Sequence, residues 1–544
     1  MIRSFVALAA MLGVALLLAS NGTRAAAASD DGAAAALLAK HRAFVGWTFG
    51  DGTVTGWRIT GTRSVAASKT GTESTDPPIR TTWSEVRRGV LYRDTFTDDG
   101  NGLQRDQGFT GRTFWDADEN GNTVVHFEDE VREDVSENLI MSDAISTLPA
   151  TLRSRTKIGD EDMDVVRIEP KLGFPVDLYV DARGAYRRAV VDPESDEHGF
   201  ILNIDSYLEA APGKRVIGSY HYGSGKPFEA AKAELNVAVA DADLLPPAPR
   251  THWSFGSGEP VSIEIASHSA PYGAGAGRAV QVQAAIDGHA GTFLLDSGAA
   301  DTLLFGAFAD SLDEKPLGHV AFHGVNGGTV GAGLIRIKTL TIGDSTLHDP
   351  IVVKSGGKGP GGVDGILGFD VLAQAIVDVD LTGQKLTIYD PAKFAPAVAK
   401  GAVAFPVDLS SRQPRIHISI GSGVDAKPIF DTGDDYLVLI SDALRKIGKV
   451  VPLSAQVTLG GGVSFDQTIS FSGVDGTGES SWPCARLNLI AVGPYRFENS
   501  LTCFADPAVF GANGGLVGFD FLQHFNWTFD YPDGKLVLTP NGMK

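Results

Sequence analysis

Two cysteines in 544 residues are too few for a four-thiolate metal site or a disulfide-dense scaffold. Positive charge is scarce as well. Lys and Arg number 46 against 66 Asp and Glu, a net charge of −20, which argues against nucleic acid or an anionic membrane surface as the main partner. The twelve histidines show no ligand spacing and no His-Glu-x-x-His occurs. His319 and His323 are four apart, but the surrounding glycines oppose a helix, so no metal site is expected. The glycine-rich stretch 356–362 lacks the Gly-Lys-Ser/Thr of a phosphate loop, and no Gly-x-Ser-x-Gly elbow is present. No cofactor is implied. Beyond the first 28 residues no apolar run approaches the roughly 20 residues that span a bilayer.

What is present is an ordinary globular composition, 43% hydrophobic and 21% charged, long enough for several domains. Residues 1–28 follow the order of a secretory signal peptide: Arg3, an uncharged apolar run over 5–19, then the small residues Ala25, Ala26, Ala27 and Ala28. The run is short for a retained anchor, the other reading of this stretch. The expectation is an exported chain, periplasmic or secreted, that begins near Ser29 and carries no membrane span. Export makes a Cys484–Cys503 disulfide one reading of the two cysteines; a pair of buried thiols is the other.

Charge thins and glycine rises near residue 250. The break falls at Leu245-Pro-Pro-Ala-Pro249, a stiff proline-rich linker over 244–252. Residues 29–243 read as one helix over 33–44 followed by an antiparallel meander. Its strands alternate, as in Thr123-Val-Val-His-Phe127, Asp164-Val-Val-Arg-Ile168 and Val176-Asp-Leu-Tyr-Val180, with turn clusters between them. One helix before a curved antiparallel sheet resembles the half-barrel of bacterial lipoprotein carriers. Asp116-Ala-Asp118-Glu-Asn120-Gly121 looks like the start of a calcium loop. Its position 12 is Phe127 rather than a bidentate Glu and its flanks read as strands, so it is a hairpin turn. The acidic Glu128-Asp-Glu130 reads as solvated surface.

The second half is duplicated. Gly365-Ile-Leu-Gly-Phe-Asp-Val-Leu372 recurs as Gly515-Leu-Val-Gly-Phe-Asp-Phe-Leu522, 150 residues on, and Asp380, Lys385 and Leu386 recur at the same offset as Asp530, Lys535 and Leu536. Upstream, Phe293-Leu-Leu-Asp296-Ser297-Gly298-Ala299 recurs as Pro428-Ile-Phe-Asp431-Thr432-Gly433-Asp434, 135 residues on. The second copy thus carries 15 more residues between its motifs, an interval that holds Cys484 and Cys503 and reads as an insertion private to that copy. Two β-rich lobes follow, 253–395 and 396–544.

Each upstream motif has a physical logic. The apolar residues bury a strand, the Asp stands where it turns, the hydroxyl of Ser297 or Thr432 can lock the turn, and Gly298 or Gly433 allows close backbone approach. A pseudo-twofold axis would bring Asp296 and Asp431 face to face. Two carboxylates at one site do not both ionise easily, so one stays protonated while the other takes a proton from water. That is general acid–base chemistry without metal or covalent intermediate.

At these residues the chain resembles the aspartic peptidases, closer to the retropepsin-like bacterial type than to pepsin, over about 253–539. The resemblance implies catalysis by Asp296 and Asp431 on a peptide or protein substrate, within a single chain that works as a monomer. It implies that Ile366-Leu367-Gly368 and Leu516-Val517-Gly518 brace the Asp loops from behind. It implies a flap at 319–330 with Gly324-Val325-Asn326-Gly327-Gly328 at its tip, which lacks the tyrosine of pepsin-like flaps. The matching segment of the second copy is 456–465, with Gly460-Gly-Gly462, which reads equally well as a plain hairpin turn. Asp434 and Asp435 depart from the pattern; facing the pair they would raise its pKa values, facing solvent they would not. Two functions are compatible with the residues: an exported aspartic endopeptidase, or a binding protein for peptide or lipid that kept the lobes without the chemistry.

Overall fold

The computed structural model describes residues 30–542 apart from 66–78, 196–198, 270–275, 324–328, 358, 360–361, 395–400, 421–423, 435–437, 442–451, 454–466, 473–478, 488–489, 499 and 507–513. The chain is mainly β, and its sheets are largely antiparallel. The expected signal segment, 1–28, lies outside the described residues.

Thirteen strands between Trp57 and Leu235 form one antiparallel sheet. Six run as a meander to Val125, seven as a meander from Ala150, and Trp57–Val65 pairs with Phe228–Leu235 to join them. Register shifts at Thr60/Gly61, Leu152/Ser154 and along Ile201–Ala211 supply the extra residues that bend a sheet. At Gly61 the approach is so close that a Cβ would lie 2.2 Å from the Glu229 carbonyl oxygen.

Helix α1, Asp30–Val45, packs Ala34, Leu38 and Val45 into the core of this sheet. The expectation of a single helix is corrected by α2, Glu128–Met141. The acidic run Glu128-Asp-Glu130, which reads as solvated surface, is exposed at Glu128 and Glu130 and forms its first turn, where negative charge is favoured by the helix dipole. The helix was hard to see because its buried side includes the polar Ser136 and Asn138 beside Ile140. Between sheet and helix, His126 is held by Asp134 at 2.6 Å and Asp116 at 3.1 Å. Burial opposes its charge, but those two carboxylates outweigh it and raise its pKa to about 10. A raised imidazole adds stability below its unfolded pKa of about 6.5, and that stability is lost as pH climbs through the folded value. His126→Gln is therefore expected to lower the melting temperature at pH 6 and to matter little at pH 10.5, as measured by thermal melts at both values.

The linker is fastened rather than free. Arg250 donates to the carbonyls of Gln104, Asp118 and Glu119 and to Asp106.

The duplicated half repeats one pairing scheme. His289–Leu295 pairs in parallel with Gly365–Leu367, which pairs antiparallel with Leu303–Phe305, which pairs in parallel with Ile351–Ser355. In the second copy Ile429–Phe430, Gly515–Val517, Val438–Ser441 and Ser500–Ala505 are joined in the same order and senses. Each copy ends in a hairpin that sets Asp380 opposite Lys385 and Asp530 opposite Lys535. Ile376–Asp380 pairs with Phe525–Asp530, so the two copies share a continuous sheet.

This register corrects two expectations. The strand hairpin Gly318–His323 and Thr329–Arg336 has its counterpart in Gln467–Ser472 and Glu479–Leu487, not in 456–465, which lies outside the described residues. Cys484 and Cys503 also do not mark a private insertion. They face each other in the register of two strands whose first-copy equivalents set Leu334 opposite Val353. Most of the added length falls earlier, between Ser441 and Gln467.

Candidate active site

Each Asp loop is built by a buried strand and the segment behind it. Phe293, Leu295 and Phe430 are fully buried, as are Leu367 and Val517. The Asp296 amide donates to the Leu367 carbonyl at 3.0 Å, and the Asp431 amide donates to the Val517 carbonyl at 3.0 Å. Phe369 donates to the Ala299 carbonyl and Phe519 to the Asp434 carbonyl, at 3.0 and 2.7 Å. Ile366, Leu367 and Gly368, with Leu516, Val517 and Gly518, form the segments that hold the loops.

The loops grip each other. The Ser297 amide donates to Thr432 Oγ1 at 3.0 Å, and the Thr432 amide donates to Ser297 Oγ at 3.1 Å. Ser297 Oγ donates onward to the Phe430 carbonyl and Thr432 Oγ1 to the Leu295 carbonyl, at 2.6 and 2.7 Å. Both side chains are buried. The hydroxyls therefore satisfy backbone groups of the opposite copy, a cross-link that neither turn could make alone.

The grip brings the two carboxyls together, each lying against the glycine of the opposite turn. The Gly298 amide donates to Asp296 at 2.8 Å and the Gly433 amide to Asp431 at 2.9 Å. Neither glycine tolerates a side chain: a Cβ on Gly298 would lie 2.4 Å from the Asp431 carboxyl, and one on Gly433 2.6 Å from that of Asp296.

Burial, then the charge of Asp431 and the hydrogen bond to it, push Asp296 well above the carboxylate range. Burial also raises Asp431, but the Gly433 amide, the hydrogen bond from Asp296 and the Asp434 amide pull it back. Both carboxyls are thus raised, Asp296 the more strongly, and the titration belongs to the two together. Tyr531, buried nearby, is pushed up by burial and by both carboxylates.

The proposed flap tip, Gly324, Val325, Asn326, Gly327 and Gly328, lies outside the described residues, while the strands on either side of it pair as a hairpin. Asp434 is half-buried, and Asp435 lies outside the described residues. Among the described residues no group of three His, Cys, Asp or Glu side chains could hold a metal ion. A cavity of about 530 Å³ lies elsewhere, against the N-terminal sheet, where Arg63, Phe96, Tyr220 and Phe228 meet Leu334 at the base of the hairpin.

Sequence reasoning missed the polar residues that approach the Asp loops from outside. Gln413 donates to the Gly298 carbonyl. Asp370, inside the repeated Gly-Phe-Asp motif, accepts from the Thr302 amide at 2.8 Å and from Asn120 at 3.0 Å. The repeat marked Asp370; nothing local in the sequence marked Asn120 or Gln413.

A family model described as aspartyl protease matches residues 282–371, the span from before Asp296 to just after Gly368. The chain therefore contains an aspartyl protease-like domain. No curated protein matches the chain. A solved structure of a DUF1329 family protein from Desulfovibrio piger is 12% identical, with a TM-score of 0.29, covering 40% of this chain and 97% of that one.

Proposed function

We propose that the protein is an aspartic endopeptidase that hydrolyses peptide bonds with water activated between Asp296 and Asp431. The observation that carries this reading is the carboxyl pair brought together by the reciprocal Ser297–Thr432 grip. Ionised Asp431 takes a proton from a water lying between the carboxyls, and the hydroxide oxygen bonds to the scissile carbonyl carbon. Protonated Asp296 gives its proton to the carbonyl oxygen, so a neutral gem-diol forms. Collapse of the diol breaks the C–N bond, a proton passes from Asp431 to the departing amine, and one diol hydroxyl returns its proton to Asp296. Both carboxyls end as they began. No cofactor takes part, and a single chain supplies both carboxyls.

The test is cleavage of a peptide library between pH 3 and 8 by the wild type, Asp296→Asn and Asp431→Asn. Activity is expected only where the pair holds one proton. Because both groups are raised, that window should reach above pH 4 and close on the acid side as Asp431 protonates. Cleavage that survives either substitution would overturn the assignment. A binding protein is the second reading, favoured by the 530 Å³ cavity against the N-terminal sheet; it is supported if no version cleaves and a ligand binds.

We also propose export, with removal of residues 1–28, and a Cys484–Cys503 disulfide, for which the directly opposed register is the support. Closing a loop of about 20 residues is worth about 3 kcal/mol. Mass spectrometry of the unreduced protein should find both cysteines unavailable to alkylation, and reduction should lower the urea midpoint; free thiols in the native protein would remove the proposal.

A further inference from the structure

The turn at 116–122 of the N-terminal sheet touches both copies of the duplicated half. Arg412 is paired with Asp116, and Gln374 donates to Asn122 at 2.7 Å. Asn120 reaches deepest. Its Nδ2 donates to the Ile351 carbonyl at 2.9 Å and to Asp370 Oδ1 at 3.0 Å, while its Oδ1 accepts from the Ile351 amide at 2.7 Å. Every polar atom of the side chain is used, and the residue is only 4% exposed.

From Asp370 two bonds lead to Gly368, in the segment that holds the Asp296 loop. Asp370 Oδ2 accepts from the Thr302 amide at 2.8 Å, and Thr302 Oγ1 accepts from the Gly368 amide at 3.1 Å. Gly368 lies between Leu367, whose carbonyl receives the Asp296 amide, and Phe369, whose amide holds the Ala299 carbonyl. Asp370 and Thr302 are 2% and 0% exposed. Among the described residues the second copy shows no such brace: Asp520, the repeat equivalent of Asp370, is exposed.

The turn is shaped before it docks. Asp118 Oδ1 accepts from the amides of Asn120 and Asn122 at 2.9 and 2.8 Å, and the Arg250 amide donates to the Asn120 carbonyl at 2.7 Å. Gly121 has a φ of 76° and lets the linker pass, since a Cβ there would lie 3.0 Å from the Ala248 carbonyl oxygen.

We propose that Asn120 is a positioning residue for Asp296: through Asp370, Thr302 and Gly368 the N-terminal domain fixes the first-copy Asp loop, so that this domain is a working part of the active site and not a separate appendage. For its catalytic arm the inference rests on the peptidase reading.

The experiment uses the full chain carrying Asn120→Ala, Asn120→Asp, or Asn120→Asp together with Asp370→Asn. Glu128→Gln serves as the control, because Glu128 pairs with His417 and Lys427 across the same interface without touching the Asp loop. Two readouts are taken, kcat and KM on a cleaved peptide and hydrogen exchange of the backbone amides. Asn120→Ala is expected to lower kcat about 10²-fold with KM within about threefold, the scale of a small misplacement of a reacting group. Exchange over 296–302 should quicken about tenfold while 431–434 stays as in the wild type. Asn120→Asp, which sets two carboxylates together, should do at least as much, and the double exchange should recover part of both effects because an amide at 370 can donate to the new carboxylate. Glu128→Gln should change neither. Unchanged exchange over 296–302 in Asn120→Ala overturns the inference whether or not the protein cleaves peptides; equal quickening in Glu128→Gln overturns it as well. An inactive wild type sinks the peptidase reading alone, because the exchange result still decides the positioning.

Discussion

Asp296→Asn is expected to lose peptide cleavage and, at pH 7, to melt at a higher temperature than the wild type. In the proposed mechanism the activity loss follows from the proton that Asp296 gives to the scissile carbonyl, which an amide cannot supply; general acid–base groups contribute about 10²–10⁴-fold. The stability gain follows from linkage. Asp296 is raised in the folded chain by burial and by Asp431, so the folded state holds a proton that the unfolded carboxyl, with a pKa of about 3.9, has released. The stability tied to that proton is fully present below the unfolded pKa and is lost as pH rises through the folded value. An asparagine has no such loss. The gap between variant and wild type should therefore be small at pH 4, widen with pH, and reach a few degrees near neutrality. Melts at pH 4, 5.5 and 7 beside kcat measurements check both halves. A variant that melts lower at pH 7 than at pH 4, relative to wild type, would show that the carboxyl is not held protonated.

Thr432→Val is the second substitution with a large expected effect, and here stability and activity fall together. The side chain is fully buried, and its hydroxyl both accepts from the Ser297 amide and donates to the Leu295 carbonyl. Valine fills the space and leaves both backbone groups without partners. At about 1–3 kcal/mol for each buried unsatisfied group, the loss for two should be about 2–6 kcal/mol in urea unfolding. Cleavage should fall at least 10²-fold, because the grip sets the distance between the two loops. Thr432→Ser is the control, since Ser297 already performs the same task with a serine hydroxyl on the other side. A valine variant as stable as the serine variant would show that the grip is not what holds the loops together.

The parts of this fold that could be read from the chain are those whose physics is local. The Asp-Ser-Gly and Asp-Thr-Gly turns, the Ile-Leu-Gly and Leu-Val-Gly segments and the Asp-to-Lys hairpins recur because each copy must solve the same packing problem. Helix α1 was expected over 33–44 and spans Asp30–Val45, and the strand expected over 176–180 is found there, because apolar spacing alone sets both. Helix α2 was not expected: its acidic start is itself exposed, and its inner side carries Ser136 and Asn138. The second-copy hairpin is set by the pairing of Glu479–Leu487 with Ser500–Ala505, a contact that glycine content at 460–462 does not record. Asn120 could not be found at all. Its own turn is readable from Asp118 and Gly121, but its partners Ile351 and Asp370 are 231 and 250 residues away, and no periodicity records such a contact.

The exposed Asp520 beside the buried Asp370 has a consequence in stoichiometry. If two identical copies met about a true twofold axis, both would present the same docking place, and each carboxyl pair would face two N-terminal domains competing for the approaches to one cleft. Joining the copies in one chain removes that symmetry. One copy keeps the buried aspartate and receives the brace, the other leaves its equivalent exposed, and each carboxyl pair meets a single N-terminal domain.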